Sequence, residues 1–563
     1  MAGAGMVMDF VFGLHSHLPW VLHHGRWPHG SDWLTEAAVD TYLPLIEALE
    51  SLEHQEIAAP VTLGVTPILA NQLAHDSFRS ELRAFFAQRL EACDEAVQTF
   101  TAEGDGHLAR VAGFWKRRLA RLERTFTRLD GDIPAALRGF ESRGRLELMS
   151  SAATHGFLPL LATDESIRFQ LLLGRSEHRR IFGRAPRGCW LPECAYRGAG
   201  PWRPHPDAPV TGDRVGIEEH LRTADFRWFF TDSHLARAGR SLSLYGDRDF
   251  PAGRVGAEGV ALEEIGERTP YRAYLVSPRP DATPVYALVR DPAATRQVWS
   301  RSEGYPGDGG YLEFHKIRWP GGLKFWRVTG RAVDLGGKEP YDVNIGRARA
   351  WRDGRHFAAM LREVGDAAAV DGGRLIAAPF DTELFGHWWF EGVDFLADCY
   401  RGMAGQDQVR PVAASTHLAE LASAPAVQLA EGSWGANGDF SMWLGPQTAW
   451  TWQELWRLET AFWRVAPAAL NDPALHTVLE QAARELLLAQ SSDWQFIIST
   501  GAAGDYAEER FLGHCRALEE LIHGLEPQQR GVLAATMRRA VELRALDDPF
   551  PDPLPALAEA LGR

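Results

Sequence analysis

Six short apolar runs constrain the fold of this chain more than any other feature. They are MVMDFVFGLHSH (6–17), VTLGVTPIL (61–69), RLELMSSAATHG (145–156), GCWLPEC (188–194), FRWFFTDSH (226–234) and GRLIAAPFDTELFGHWW (373–389). Each is largely apolar through its body, and five of the six carry His, Asp or Glu toward the C-terminal end. Continuous apolar runs of this length read as parallel strands covered on both faces, because a strand with one wet face would alternate. Helical stretches lie between several of them. Alternating β and α with reactive side chains at the strand ends is the pattern of a (β/α) barrel, whose working residues gather at the C-terminal ends of its strands. A doubly wound open sheet is the alternative.

Two regions break the rhythm. Residues 77–145 carry charged stretches with helical periodicity, SELRAFFAQRLEACDEAVQTF and VAGFWKRRLARLERTFTRL, and read as a helical insertion in a barrel built from 1–76 and 146–400. Residues 401–563 turn helical again, in TAWTWQELWRLETAFWRV and ALHTVLEQAARELLLAQ among others, and read as a C-terminal helical domain that contributes to the active-site cleft. Residues 235–275 are rich in Gly, Arg and Pro and read as a long loop, the kind of segment that serves enzymes as a lid.

The chain has 563 residues, 45% of them hydrophobic, enough for a large barrel with additions. Its net charge of −15 argues against nucleic acid and anionic membrane as partners. The five cysteines are scattered, without paired zinc-type spacing, and are expected as reduced thiols. The N-terminus has no basic segment before its apolar run, so the expected location is cytoplasmic. Twenty tryptophans are a high share, and a surplus in loops suits stacking on sugar rings.

Glu193 and Asp381 end the runs CWLPE and IAAPFD. In a barrel both face one mouth, where one carboxylate stays ionised while the other is held protonated. The competing reading of Glu193 is a structural ion pair with Arg197. His15 and His17 form HxH at the end of the first run, on one side of a strand. They could bind sugar hydroxyls, or a metal if Asp381 or His155 supplied a third ligand. His155 follows another strand. Trp434 and Trp443 lie in the Gly-rich loop EGSWGANGDFSMWLG and read as stacking platforms. Trp452, Trp456 and Trp463 fall at helical spacing and read as core.

Together these stretches resemble glycoside hydrolase family 57, in its branching-enzyme subgroup. The resemblance rests on HSHLP (15–19), WLPECAYR (190–197) and PFDTELFGHWWFEG (379–392), with THGFLPLL, RQVWS, GYPGD, SWGANGDFSMWLG and SSDWQF in support. It implies a (β/α)7 barrel with a helical insertion and an all-helical C-terminal domain. It implies a retaining mechanism on α-glucan, without metal or cofactor, in which Glu193 is the nucleophile and Asp381 the acid/base. His15, His17 and His155 would bind the sugar at the cleaved bond. Trp33, Trp299, Trp434 and Trp443 would line the groove near Asp493, with Arg197 positioning Glu193. The family's branching enzymes close a Tyr-bearing loop over the site. Here the segment 232–275 departs from that pattern, with Tyr245 and Tyr271 as candidates. The expected activity is 1,4-alpha-glucan branching, by a monomer or small homo-oligomer. The alternatives are an α-amylase or 4-alpha-glucanotransferase, a metal-dependent deacetylase-like enzyme, and an inactive glucan-binding protein.

Overall fold

The computed structural model describes residues 7–237, 268–276 and 283–563, apart from the single positions 28, 211, 301, 371, 423 and 426. Seven strands form its centre: β1 (Met8–Ser16), β2 (Val61–Val65), β3 (Leu146–Ser151), β4 (Gly188–Trp190), β5 (Trp228–Thr231), β6 (Tyr286–Val289) and β7 (Leu375–Asp381). They pair in parallel in the order β7-β1-β2-β3-β4-β5-β6. A parallel bridge between Arg290 and Ala377 returns β6 to β7 and closes the sheet into a barrel. The fold is therefore the expected (β/α)7 barrel, not the open sheet.

The side-chain pattern of β1 explains how the barrel fills. All nine of its residues are buried. Phe12 faces outward, with its ring near those of Phe380, Phe385 and Tyr400. Gly13 faces inward, where a Cβ would lie 3.0 Å from the ring of Phe230 on β5, a strand not adjacent to β1. That contact spans the barrel interior, so Phe230 occupies the space that Gly13 leaves open. Trp190 packs beside Phe230 with centroids 5.6 Å apart. Above it, His15 lies flat on the Trp190 indole at 4.5 Å and 4°. The mouth thus rests on a packed aromatic floor.

Three helices occupy the insertion, Asp76–Ala102, Gly106–Arg128 and Ile133–Ser142. Asp105 caps the second by accepting bonds from His107 N and Leu108 N, which ends the first helix and turns the chain back on itself. The C-terminal part is helical from Ala449 onward and held to the barrel through buried indoles. Trp456 Nε1 donates to Leu160 O at 2.8 Å, and Trp463 Nε1 to Ser166 Oγ at 2.7 Å. Trp452, Trp456 and Trp463 are buried, as their spacing predicts.

Two features differ from the sequence reading. Strand β6, in the short run VYALV, is absent from the six apolar runs, because four residues amid charged and Pro-rich neighbours make a weak signal. The segment after 401 does not turn helical at once, since Val409–Pro411 first pairs in parallel with the start of β1.

Strand β4, which leads to Glu193, tolerates little change at its first residue. A Cβ on Gly188 would lie 2.2 Å from the Trp228 ring. Gly188→Ala is expected to destabilise the protein by about 1–3 kcal/mol, as overpacking does. A lower urea midpoint at unchanged slope is the measurement that checks it.

Candidate functional site

Each barrel strand delivers a polar residue to the same mouth. The sequence β1 to β7 brings His15 and His17, Thr66, His155, Glu193, Asp232, Arg290 and Asp381. Glu193 and His155 have left-handed backbones, both with φ 59°. Non-glycine residues pay strain for that conformation and keep it only where surrounding contacts hold them. Main-chain bonds from the C-terminal segment do the holding. Trp434 N donates to Glu193 O at 3.1 Å, Ser492 N donates to His155 O at 3.1 Å, and Tyr196 pairs with Gly432 in both directions.

The two carboxylates are treated differently. Glu193 is gripped on both oxygens, with Trp434 Nε1 donating to Oε2 at 2.9 Å and Ser492 Oγ to Oε1 at 3.2 Å. Burial pushes it up to about 7; the Trp434 bond opposes this, and the negative charges of Asp381 and Asp493 add to it. Among the described residues, the Asp381 carboxyl makes no hydrogen bond. Burial raises it to about 8, reinforced by Glu383 and opposed by Arg290. A carboxyl that keeps its proton to higher pH and has no competing partner suits an acid, and one held as an acceptor by two donors suits a nucleophile.

The histidines form a stack beside Glu193. His15 and His155 meet through their Nε2 atoms at 2.9 Å, and the rings of His17 and His155 lie 4.1 Å apart. Burial, with repulsion from neighbouring imidazoles, drives His15 and His155 well below the ordinary histidine range, so both are neutral. His155 Nδ1 bonds Ser492 Oγ at 2.9 Å. His17 bridges Thr66 Oγ1 at 3.0 Å and Asp493 Oδ2 at 2.8 Å. Burial works to raise Asp493, but His17, His155 and Ser491 outweigh it and hold it low. His17, His155 and Asp493 bring their ligand atoms within 4.8 Å of one another, a spacing that could hold a cation. The group is therefore His17, His155 and Asp493, and neither His15 nor Asp381 is part of it.

Several expected roles change. Arg197 does not bond Glu193: its guanidinium donates to Gly198 O and Val215 O, and the charges it feels are those of Glu431, Asp164 and Glu218. The turn through left-handed Glu193 and Cys194 separates its side chain from the Glu193 carboxylate. Trp434 and Trp443 are not open platforms. Trp434 is 6% exposed and turns its N–H to Glu193; Trp443 is 1% exposed, packed on Phe157 at 4.7 Å. Trp33 and Trp299 keep partial exposure, the latter 6.4 Å from the exposed Trp388. Tyr271 is no lid over the mouth. Its carbonyl accepts from Arg374 N and Leu375 N at the start of β7, the barrel end opposite Asp381, and its hydroxyl bonds Asp291. Tyr245, and most of the loop expected as a lid, lies outside the described residues.

Other site residues were not singled out from the sequence. Glu383 is buried, accepts from Tyr42 Oη at 2.5 Å and His17 N at 3.2 Å, and is raised to about 7 by burial. It stands two residues after Asp381 in the motif already quoted. Asp232 and Arg290 form a buried ion pair at the ends of β5 and β6. Burial raises Asp232, but Arg290 and His234 outweigh it and hold its carboxyl below the usual range. Arg290 also lies over the Trp434 ring at 5.1 Å. The signal for Asp232 was its position at the end of a run; Arg290 follows the strand that was missed.

The model of glycosyl hydrolase family 57 matches residues 11–291. A 1,4-alpha-glucan branching enzyme of Thermococcus kodakarensis is 35% identical over 552 residues, covering 96% of this chain and 77% of that protein. The chain belongs to glycosyl hydrolase family 57. The expected resemblance is thus borne out, and a second family model, of the branching-enzyme C-terminal region, matches 457–552. A probable 1,4-alpha-glucan branching enzyme of Mycobacterium tuberculosis is 31% identical, covering 95% of this chain and 94% of that one. Among solved structures, the T. kodakaraensis family 57 branching enzyme superposes with a TM-score of 0.86 at 34% identity, covering 97% of this chain and 96% of that one. The alpha-amylase AmyC of Thermotoga maritima gives 0.79 at 27%, covering 98% and 99%.

Turnover by this family 57 site is expected to follow a narrow bell in pH. The rate rises through about 7 as Glu193 loses its proton and falls above about 8 as Asp381 loses its own, the two limbs belonging to the coupled pair. Trp434→Phe removes a donor to the Glu193 anion. It should move the acid limb to higher pH and lower kcat by about 10–100-fold, the value of one bond to a charged group. A pH profile of kcat/KM for wild type and variant, which reports the free enzyme, checks the two limbs, and kcat at the optimum checks the rate.

Proposed function

We propose that the protein is a retaining, α-glucan-active 1,4-alpha-glucan branching enzyme. The observation that carries this reading is the 31–35% identity to branching enzymes over 95–96% of this chain, combined with a mouth holding one gripped and one free carboxyl. In the first step a Glu193 oxygen attacks the anomeric carbon of an α-1,4 bond. The C1–O4 bond breaks and O4 takes the Asp381 proton. In the second, a glucan 6-hydroxyl gives its proton to Asp381 as its oxygen displaces Glu193 from C1, leaving an α-1,6 branch. Two inversions at C1 retain the configuration.

His15, His17 and His155, with Asp493 behind them, offer neutral and charge-backed polar atoms to the sugar at the cleaved bond. The partly exposed Trp33 and Trp299 offer faces to neighbouring sugars. Trp434 acts on Glu193 rather than on the glucan. The C-terminal segment therefore enters the chemistry through Trp434, Ser492 and Asp493. The likeness to AmyC favours a second reading, in which water meets the glycosyl-enzyme and the product is a shortened chain.

Incubation with amylose separates the two. Branching lowers iodine staining with little new reducing sugar until a debranching enzyme is added; prompt release of reducing ends would select hydrolysis. Glu193→Gln is expected to lower kcat by at least about 1,000-fold while amylose binding, read by calorimetry, stays within about threefold of wild type. Full activity of chelator-treated, metal-free protein is also expected, because His17 and Asp493 already satisfy one another; loss of activity restored by a divalent cation would overturn the metal-free reading.

A further inference from the structure

Outside the mouth, the insertion helix Gly106–Arg128 has two contrasting faces. Val111, Trp115, Leu119 and Leu122 are buried against the molecule. Arg110, Arg117, Arg118, Arg121 and Arg124 recur at helical spacing on another face, and all five line one cleft. Arg347, from the first turns of the helix Val343–Val370, lines it from the other side. The cleft measures about 570 Å³, within the range of small-molecule sites. Asp342 is the one carboxylate on its lining, and it already accepts from Asn344 N and Ile345 N.

Arginines are common throughout this chain, so their number alone carries nothing. Their pairing does. Outside the cleft, cations of the same insertion find carboxylates: Lys116 meets Asp94 and Arg128 meets Glu50 at 2.8 Å; of the cleft arginines, Arg121 meets Glu47 at 3.0 Å. Among the described residues, Arg110, Arg117, Arg118, Arg124 and Arg347 have no ion pair and no hydrogen bond. Arg118 lies over the Phe390 ring at 4.7 Å, its Nε buried without a partner. Burial draws this guanidinium below its ordinary range; the nearest acids, Asp394, Asp40 and Glu47, act on it only through space. Five guanidinium groups without a carboxylate partner around one cleft, in a protein of net charge −15, repel one another and make the cleft a local positive field that attracts anions.

We infer that this cleft is a binding site for a small anion bearing two or more phosphate groups. Guanidinium forks match phosphate oxygens two at a time, and this many donors exceed what one phosphate can use. Phe114 and Tyr341 supply apolar wall for an organic portion. The adjoining lobe of about 490 Å³ shares Arg118, Arg121 and Arg347 but carries Glu47, Asp394 and Asp398, so the phosphates belong in the first lobe. The site is distinct from the glucan-cleaving mouth.

The test is calorimetric titration of the full-length protein with inorganic pyrophosphate, tripolyphosphate and ADP in phosphate-free buffer, with glucose as the uncharged control. Saturable binding of at least one phosphate probe below about 1 mM, weakening as NaCl rises, is expected. The double variant Arg117→Gln/Arg347→Gln should weaken it by about tenfold or more, the loss of one or two charge-assisted bonds. Amylose turnover without added phosphate should stay at the wild-type rate, which also certifies folding. If that variant does not fold, Arg110→Gln/Arg124→Gln serves the same purpose. Tighter binding of ADP than of pyrophosphate marks a nucleotide as the ligand, and the reverse marks inorganic polyphosphate. Absence of saturable binding by all three probes, or binding that both double variants leave unchanged, overturns the proposal.

Discussion

The hydrogen bond from the Trp434 indole to Glu193 crosses the seam between the barrel and the C-terminal segment, and much of the site depends on it. It brings an N–H to a carboxylate that burial would otherwise neutralise. It comes with a main-chain bond between the same two residues and with the Tyr196–Gly432 pairing next along the chain. Glu193 therefore keeps its left-handed backbone, and its carboxylate keeps one direction. The same seam seats Ser492 between His155 and Glu193. Neither half of the protein holds a finished site by itself.

Closure of the barrel does the complementary work. With β7 between β1 and β6, Asp381 shares a mouth with His15, its registered neighbour on β1, and with Arg290. The mouth then carries Glu193, Asp381, Glu383, Asp232 and Asp493 within a buried space, far too many like charges to leave unmanaged. The arrangement resolves them by assignment. Arg290 and His234 keep Asp232 ionised, and His17 does so for Asp493. Glu193, Glu383 and Asp381 are instead raised, and Asp381, with no donor of its own, is raised furthest from its ordinary value. A proton kept on Asp381 beside a Glu193 held by two donors is the division of labour that the proposed two-step glycosyl transfer requires.

The Arg-lined cleft on the insertion applies the opposite rule. At the mouth Asp232 and Asp493 have Arg290 and His17 as counterparts inside the fold, while in the cleft, Arg121 apart, the guanidinium groups have no carboxylate partner among the described residues. Helical periodicity places them: Arg110, Arg117, Arg118, Arg121 and Arg124 fall on a face other than that of the buried Val111, Trp115, Leu119 and Leu122.

The apolar runs and the acids near their ends determined the barrel, its mouth and the placing of Glu193 and Asp381 there, because parallel strands buried on both faces need such runs and a strand end is fixed by its own residues. The helical spacing of Trp452, Trp456 and Trp463 likewise specified their burial. Partners supplied from distant segments were decided only by the tertiary structure. Arg197 stands four positions from Glu193 and bonds elsewhere, whereas Trp434, 241 positions away, bonds it directly. The loop tryptophans 434 and 443 turned inward for the same reason: a Gly-rich segment leaves its side chains free to follow whatever surface the barrel presents. Burial, hence the proton balance between Glu193 and Asp381, is a property of everything packed around them, and no local stretch of sequence contains it.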